Sequence, residues 1–502
     1  MSSFGHIPLG TAIPDSPHAV SCSLPTMAAV RGYEEKDPAV TSRLRTGYPR
    51  FVQHPFCRRL AEHLSLSHGL GRSALWLASS RRMAEALHRH LGLPGAALFE
   101  DGGIFGVTHP ESAEAFLRSK LYLQNVGGFL SSRAAEDRLA AVGAGPAAAA
   151  EETFPGDASE EVLRNLRPLF PPGAGDPLVA SCGMNAVNAA FHAVNRVQAP
   201  RGRTAWVQLG WLYLDTIAIL RKFTASPGDY IHLAEVCDLG PLERLLAERG
   251  AGIAGVMAEV PTNPLVQTPD VDRLAELCRR HGVRLVLDPS IASVYNVDCF
   301  AQSDVLVASL TKYTGNEGDI VAGLVAVNPA GPDAAALGRE AASVLEGPYP
   351  RDLARLAAQI GGTHGVVRAI NESTPRVASF LSSHPGVERV AWALSPGSRA
   401  NYLRIARTPG STGGMISFSV KGSIDRFYDR LRLPKGPSFG MRTTLICPFM
   451  YLAHYDLVNS AEGRAELGRN GLDPDLLRLC VGAEPAGEII ASLAEALAGD
   501  QA

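Results

Sequence analysis

The 502-residue chain has room for two or three domains and a sizeable buried core. Hydrophobic residues make up 46% and charged residues 19%, a balance that suits a globular protein with large interior sheets. A formal charge of −3 excludes the electrostatic footprint of a protein that binds nucleic acid or an anionic membrane.

In chain order, residues 1–70 read as an N-terminal arm and the segment that follows it; the Pro-, Ser- and Gly-rich stretch 1–45 is expected to be ordered only where a neighbouring subunit holds it. Residues 71–176 read as an α/β insertion. A strand is expected at 74–78, a helix at 81–91, a strand with a Gly-Gly turn across 96–107, and a helix at 111–122. The Ala-, Gly- and Pro-rich stretch 134–176 reads as a surface insertion or linker. From 177 to 365 short apolar strands alternate with amphipathic helices, which predicts a buried, mostly parallel sheet. Residues 366–502, reached through a helical connector, form a smaller α+β domain with strands near 415–420, 443–446 and 477–481 and a last helix at 486–498.

Six lysines stand against 41 arginines, so lysine chemistry has few candidate sites, while groups that grip carboxylate or phosphate abound. The eight cysteines are scattered without a C-x-x-C pair, and the histidines show no metal-ligand spacing. A reducing, cytoplasmic setting is expected, with no metal, no 18-residue apolar run and no secretory leader.

In open α/β sheets, ligands collect at the carboxyl ends of the strands. Four segments lie there: Ser181-Cys-Gly183-Met184, Glu259-Val-Pro-Thr-Asn263-Pro, the strand ending in Asp288-Pro-Ser290, and Ser309-Leu-Thr311-Lys312. A pyridoxal phosphate (PLP) enzyme needs a lysine to carry the cofactor, a carboxylate against the pyridinium nitrogen, and donors for the phosphate. Lys312 supplies the first and Asp288 the second. Ser309, Thr311 and the backbone N–H groups of Gly183 and Met184 supply the third.

The run from Ser309 to Gly323 resembles the lysine motif of the Cys/Met-metabolism PLP-dependent enzymes, the cystathionine γ-synthase group of the type I PLP fold. The other three segments are similar to that family's remaining signatures, in the same order. Among members, the arm motifs Pro17-His-Ala-Val-Ser21 and Gly32-Tyr-Glu-Glu35 are most similar to fungal cystathionine γ-synthases. The resemblance implies that Tyr213 stacks on the cofactor ring, that Ser290 joins the cofactor site, and that Tyr48 and Arg50 reach a neighbouring subunit's phosphate. Active sites shared across a homo-oligomer follow from that. It also implies that Arg478 grips a substrate carboxylate, with Asn263 and Ser438 beside it.

The implied reaction is γ-replacement: an O-activated homoserine loses its γ-ester and cysteine adds, giving cystathionine. Lys312 moves the protons, with help from Tyr48 or Tyr213. Two departures weaken the last step. The family's Asp-Asn-Thr is Asp288-Pro-Ser290, and its Ala-Glu-Ser-Leu-Gly, whose Glu in some members meets the second substrate's amino group, reads Gly436-Pro-Ser438-Phe-Gly440. They leave open another carbon or sulfur nucleophile, or a γ-lyase. A catalytically silent relative would be marked by loss of Lys312 or Asp288, and both are present.

Overall fold

The computed structural model describes residues 4–46 and 53–498. Its centre is a seven-stranded sheet: β1 (Leu178–Ala180), β2 (Ala205–Leu209), β3 (Tyr230–Leu233), β4 (Ile253–Glu259), β5 (Arg284–Asp288), β6 (Val305–Ser309) and β7 (Gly323–Val327). The spatial order is β1-β7-β6-β5-β4-β2-β3, and only β7 runs against its neighbours. Every residue of β2 and β4 is buried, as expected of strands covered on both faces by helices. The register pairs Asp288 with Glu259, and Ser309 with Gly323, which in turn faces Ala180. The ends of β1, β4, β5 and β6 therefore meet along one edge, where α1 (Gly183–Gln198) and α2 (Leu214–Phe223) also begin.

A four-stranded antiparallel sheet follows, in the order Val387–Trp392, Met415–Val420, Leu477–Cys480, Leu445–Pro448. The first of these strands was not expected from the sequence. The helical connector is Thr363–Ser383. The insertion carries a three-stranded sheet whose Ala97–Asp101 and Ile104–Pro110 strands turn at Gly102-Gly103, as the pattern implied.

Two expectations are corrected. The arm packs on its own chain, because Leu24, Met27 and Val30 are fully buried there, each such side chain contributing about 1.5–3 kcal/mol. Polar ties reinforce it: Met27 N–H donates to Asp429, Tyr428 Oη–H to the Leu24 carbonyl, and Lys435 Nζ to the Pro25 carbonyl. The stretch 134–176 is likewise no plain linker. It contains the end of helix Ser132–Ala141 and all of Ala158–Leu166. Arg133, fully buried on the first, pairs with Glu151 and Asp352 and donates to the carbonyl of Asp319, seven residues past Lys312.

Candidate active site

The pocket at the carboxyl edge of the central sheet is assembled from both sheets. At its inner end, Asp288 Oδ1 accepts from the Ser290 N–H at 2.9 Å and from the Ser290 hydroxyl at 2.5 Å. That hydroxyl oxygen accepts in turn from the Ser309 N–H at 2.7 Å, tying the end of β5 to the end of β6. Burial pushes the carboxyls of both Asp288 and Glu259 above the usual range, and the charge of Asp288 adds to the effect on Glu259. Glu259 accepts the backbone N–H of Tyr213 at 2.5 Å, which fixes the start of α2 and places Tyr213 in the pocket wall.

Gly183 opens α1 so close to β6 that a Cβ there would lie 2.8 Å from the Cβ of Ser309. Only glycine leaves the first N–H groups of the helix accessible beside Ser309, and a helix N-terminus of this kind binds a phosphate group. Met184 lines the same wall, its sulfur accepting from the Thr216 hydroxyl at 3.8 Å.

Lys312 lies between this cradle and the outer half of the pocket. Its Nζ donates to Ser438 Oγ at 2.6 Å and sits 4.8 Å from the ring centre of Phe439. Ser438 has φ +86°, a left-handed conformation that costs a non-glycine residue about 1–3 kcal/mol. Arg478, on the second sheet, donates to Asn263 Oδ1 at 3.3 Å and to the Ser438 carbonyl at 3.4 Å. Its guanidinium carbon lies 4.4 Å from the ring centre of Phe449 and 5.1 Å from that of Phe439. Arginine in such a slot can take a carboxylate bidentately.

The structure thus brings Gly183, Met184, Tyr213, Asn263, Asp288, Ser290, Ser309, Lys312, Ser438 and Arg478 into one pocket. It does not bring Thr311 there: Thr311 is fully buried, and its hydroxyl bridges the N–H and C=O of Ala322. The hydroxyl of Ser290 is turned to Asp288 and Ser309, so it orients the carboxylate. Tyr48 and Arg50 lie outside the described residues. Glu259, Phe439 and Phe449 were missed as site residues. Glu259 and Phe439 stand inside quoted motifs, at a strand end and beside Ser438, while Phe449 carries no pattern.

An amine, a buried carboxylate deep in the pocket, an aromatic wall and a helix N-terminus together suit a phosphorylated pyridinium aldehyde. The chain belongs to the family of Cys/Met metabolism PLP-dependent enzymes, whose model matches residues 171–498. Its cofactor is PLP. Two curated relatives give that membership detail. The L-2-amino-4-chloropent-4-enoate dechlorinase/desaturase of Streptantibioticus cattleyicolor is 39% identical over 484 residues, 96% of each chain. The cystathionine γ-synthase of Neurospora crassa is 31% identical over 348 residues, 68% of this chain and 55% of the relative. Among solved structures, the cystathionine γ-synthase of Xanthomonas oryzae pv. oryzae in complex with cystathionine superposes with a TM-score of 0.59 at 23% identity, covering 74% of this chain and 97% of that one. That likeness concerns the fold.

Proposed function

We propose that this enzyme removes a halide from the γ-carbon of a small unsaturated L-amino acid by elimination, and that it does not add cysteine. The supporting observation is the outer half of the pocket. Past Lys312 and Arg478 its wall is Pro437, Phe439, Phe449, Leu452 and Ala453. Among the described residues, Arg478 is the one guanidinium in that wall, so one α-carboxylate is accommodated and a second amino acid's charged ends find no partner. The end-to-end relative with a dechlorinase/desaturase activity favours the same reaction.

Bound PLP supplies an electron sink at the substrate's α-carbon. Arg478 holds the α-carboxylate, with Asn263 bracing the guanidinium. Asp288, kept in line by Ser290, would serve as counter-ion to the ring nitrogen. Lys312 moves the protons, and Ser438 Oγ holds its amine on the pocket's outer side. The overall reaction is loss of HX. The carbon–halogen bond breaks with its electron pair leaving on the halide, one C–H proton departs by way of Lys312, and the freed pair becomes an additional π bond between carbons already joined. The apolar wall excludes water and thiols that would otherwise add. A cytoplasmic homo-oligomer with Tyr48 and Arg50 serving a neighbouring site remains part of this proposal.

The test is product mass analysis with two substrate sets. L-2-Amino-4-chloropent-4-enoate is expected to release chloride and a product lighter by HCl. O-Acetyl- or O-succinyl-homoserine with cysteine is expected to give no cystathionine. Cystathionine from the second set, with no chloride from the first, restores γ-replacement and overturns the proposal.

A further inference from the structure

We propose that Phe439 and Phe449 are the specificity-determining residues for the γ-substituent, forming an apolar wall that selects an uncharged, unsaturated or halogenated group. The assignment of the reacting group as a halide rests on the elimination reading above. The wall itself rests on geometry.

Consecutive residues in extended chain point to opposite sides. Here Pro437, Ser438 and Phe439 all face the pocket, because the left-handed turn at Ser438 (φ +86°), followed by another at Gly440 (φ +68°), curls the segment inward. The Gly440 N–H donates to Cys480 Sγ at 3.1 Å and its carbonyl accepts the Tyr313 N–H at 2.6 Å, so the curl is held from both sides. The Phe439 ring is thereby placed against two cations at once, 4.8 Å from Lys312 Nζ and 5.1 Å from the guanidinium carbon of Arg478. An amino acid held between Arg478 and Lys312 lies against the Phe439 ring.

Phe449 completes the wall. It starts the short helix Phe449–Ala453, where Leu452 and Ala453, three and four residues on, share its face and also line the pocket. Both rings are more than nine-tenths buried. A charged γ-group here would lose its water without gaining a partner among the described residues. A vinyl or chlorovinyl group loses nothing polar and gains ring contacts.

The experiment is a titration of the holoenzyme, followed by the change in cofactor absorbance, with three amino acids that carry no leaving group. These are L-alanine, which has no γ-carbon, L-allylglycine, which has a vinyl group there, and L-glutamate, which has a carboxylate there. The wild-type enzyme is expected to bind allylglycine at least about tenfold more tightly than alanine, and glutamate more weakly than either. Phe439→Leu and Phe449→Leu are expected to weaken allylglycine by about tenfold more than they weaken alanine. If glutamate binds the wild-type enzyme as well as allylglycine does, or if both variants weaken alanine as much as allylglycine, the rings act only through Arg478 and the proposal is overturned. These ligands need no halide loss. An intact affinity pattern with no chloride release overturns the elimination alone; chloride release with the pattern lost overturns the wall alone.

Discussion

The inner and outer halves of the pocket are built in different ways. The inner half is a set of strand ends and one helix start: Asp288, Ser309 and Gly183 sit where regular backbone geometry puts them, and their hydrogen bonds run between adjacent strands. The outer half hangs on a loop bent twice into left-handed conformations and on a short helix from the second sheet. The difference separates the cofactor's chemistry, which needs a few fixed groups, from the choice of substrate, which needs a wall that can be exchanged without disturbing the sheet. Substitutions in the two halves should therefore fail differently.

The largest effect is expected at the junction. Lys312→Ala should lower turnover by at least about 10⁴-fold, and borohydride should no longer fix the cofactor to the chain, as peptide mass analysis would show. Residual turnover near wild type would place the proton carrier elsewhere. Arg478→Ala comes next, with a loss of about 10²–10³-fold in kcat/KM from the missing carboxylate contact, carried mostly by KM. Arg478→Lys should recover only part of it, because an ammonium cannot match the planar fork. Full recovery would show that charge alone suffices there.

Ser438→Gly sharpens the contrast further. Glycine accepts φ +86° without strain, so stability should rise by about 0.5–1 kcal/mol in denaturant unfolding. Activity should fall roughly tenfold because Lys312 loses its hydroxyl contact. Ser438→Ala should show the activity loss without the stability gain. The smallest effect belongs to the inner half. Burial raises the Asp288 carboxyl in the folded chain, so the folded state binds its proton more tightly than the unfolded one. Its stabilising contribution is full below the ordinary carboxylate value of about 4 and is lost as pH rises through the raised value. Cofactor-stripped protein should lose stability over that rise in denaturant unfolding, and Asp288→Asn should flatten the dependence. An unchanged slope in the variant would assign it to other groups.

The inner half was legible in the sequence, and so were Asn263, Ser438 and Arg478 of the outer half, but its aromatic wall was not, for physical reasons. Asp288 and Lys312 each follow an apolar strand run, where a charge is costly unless it has a partner, so their position already speaks of chemistry. Phe439 sits in a loop with no periodicity, and an isolated aromatic residue there could equally be core. Nothing in the letters of Gly436-Pro-Ser-Phe-Gly440 announces a left-handed serine. Phe449 reaches the pocket only because the strand Leu445–Pro448 pairs beside Arg478, a contact set by sheet order. Glu259 was in view within its motif, but its hold on the Tyr213 backbone is a tertiary fact. The arm was misread because Pro, Ser and Gly suggested a tether, while its few apolar residues were enough to dock it. Thr311 was placed by adjacency to Lys312, and one step along the chain turned its hydroxyl to Ala322.

The most direct measurement is the mass of the product formed from L-2-amino-4-chloropent-4-enoate as cysteine is raised from none to large excess. An apolar outer half that admits one amino acid predicts a product lighter by HCl at every cysteine concentration, with chloride released in equal amount. A product heavier than the substrate by the mass of cysteine less that of HCl, growing with cysteine concentration, would contradict it.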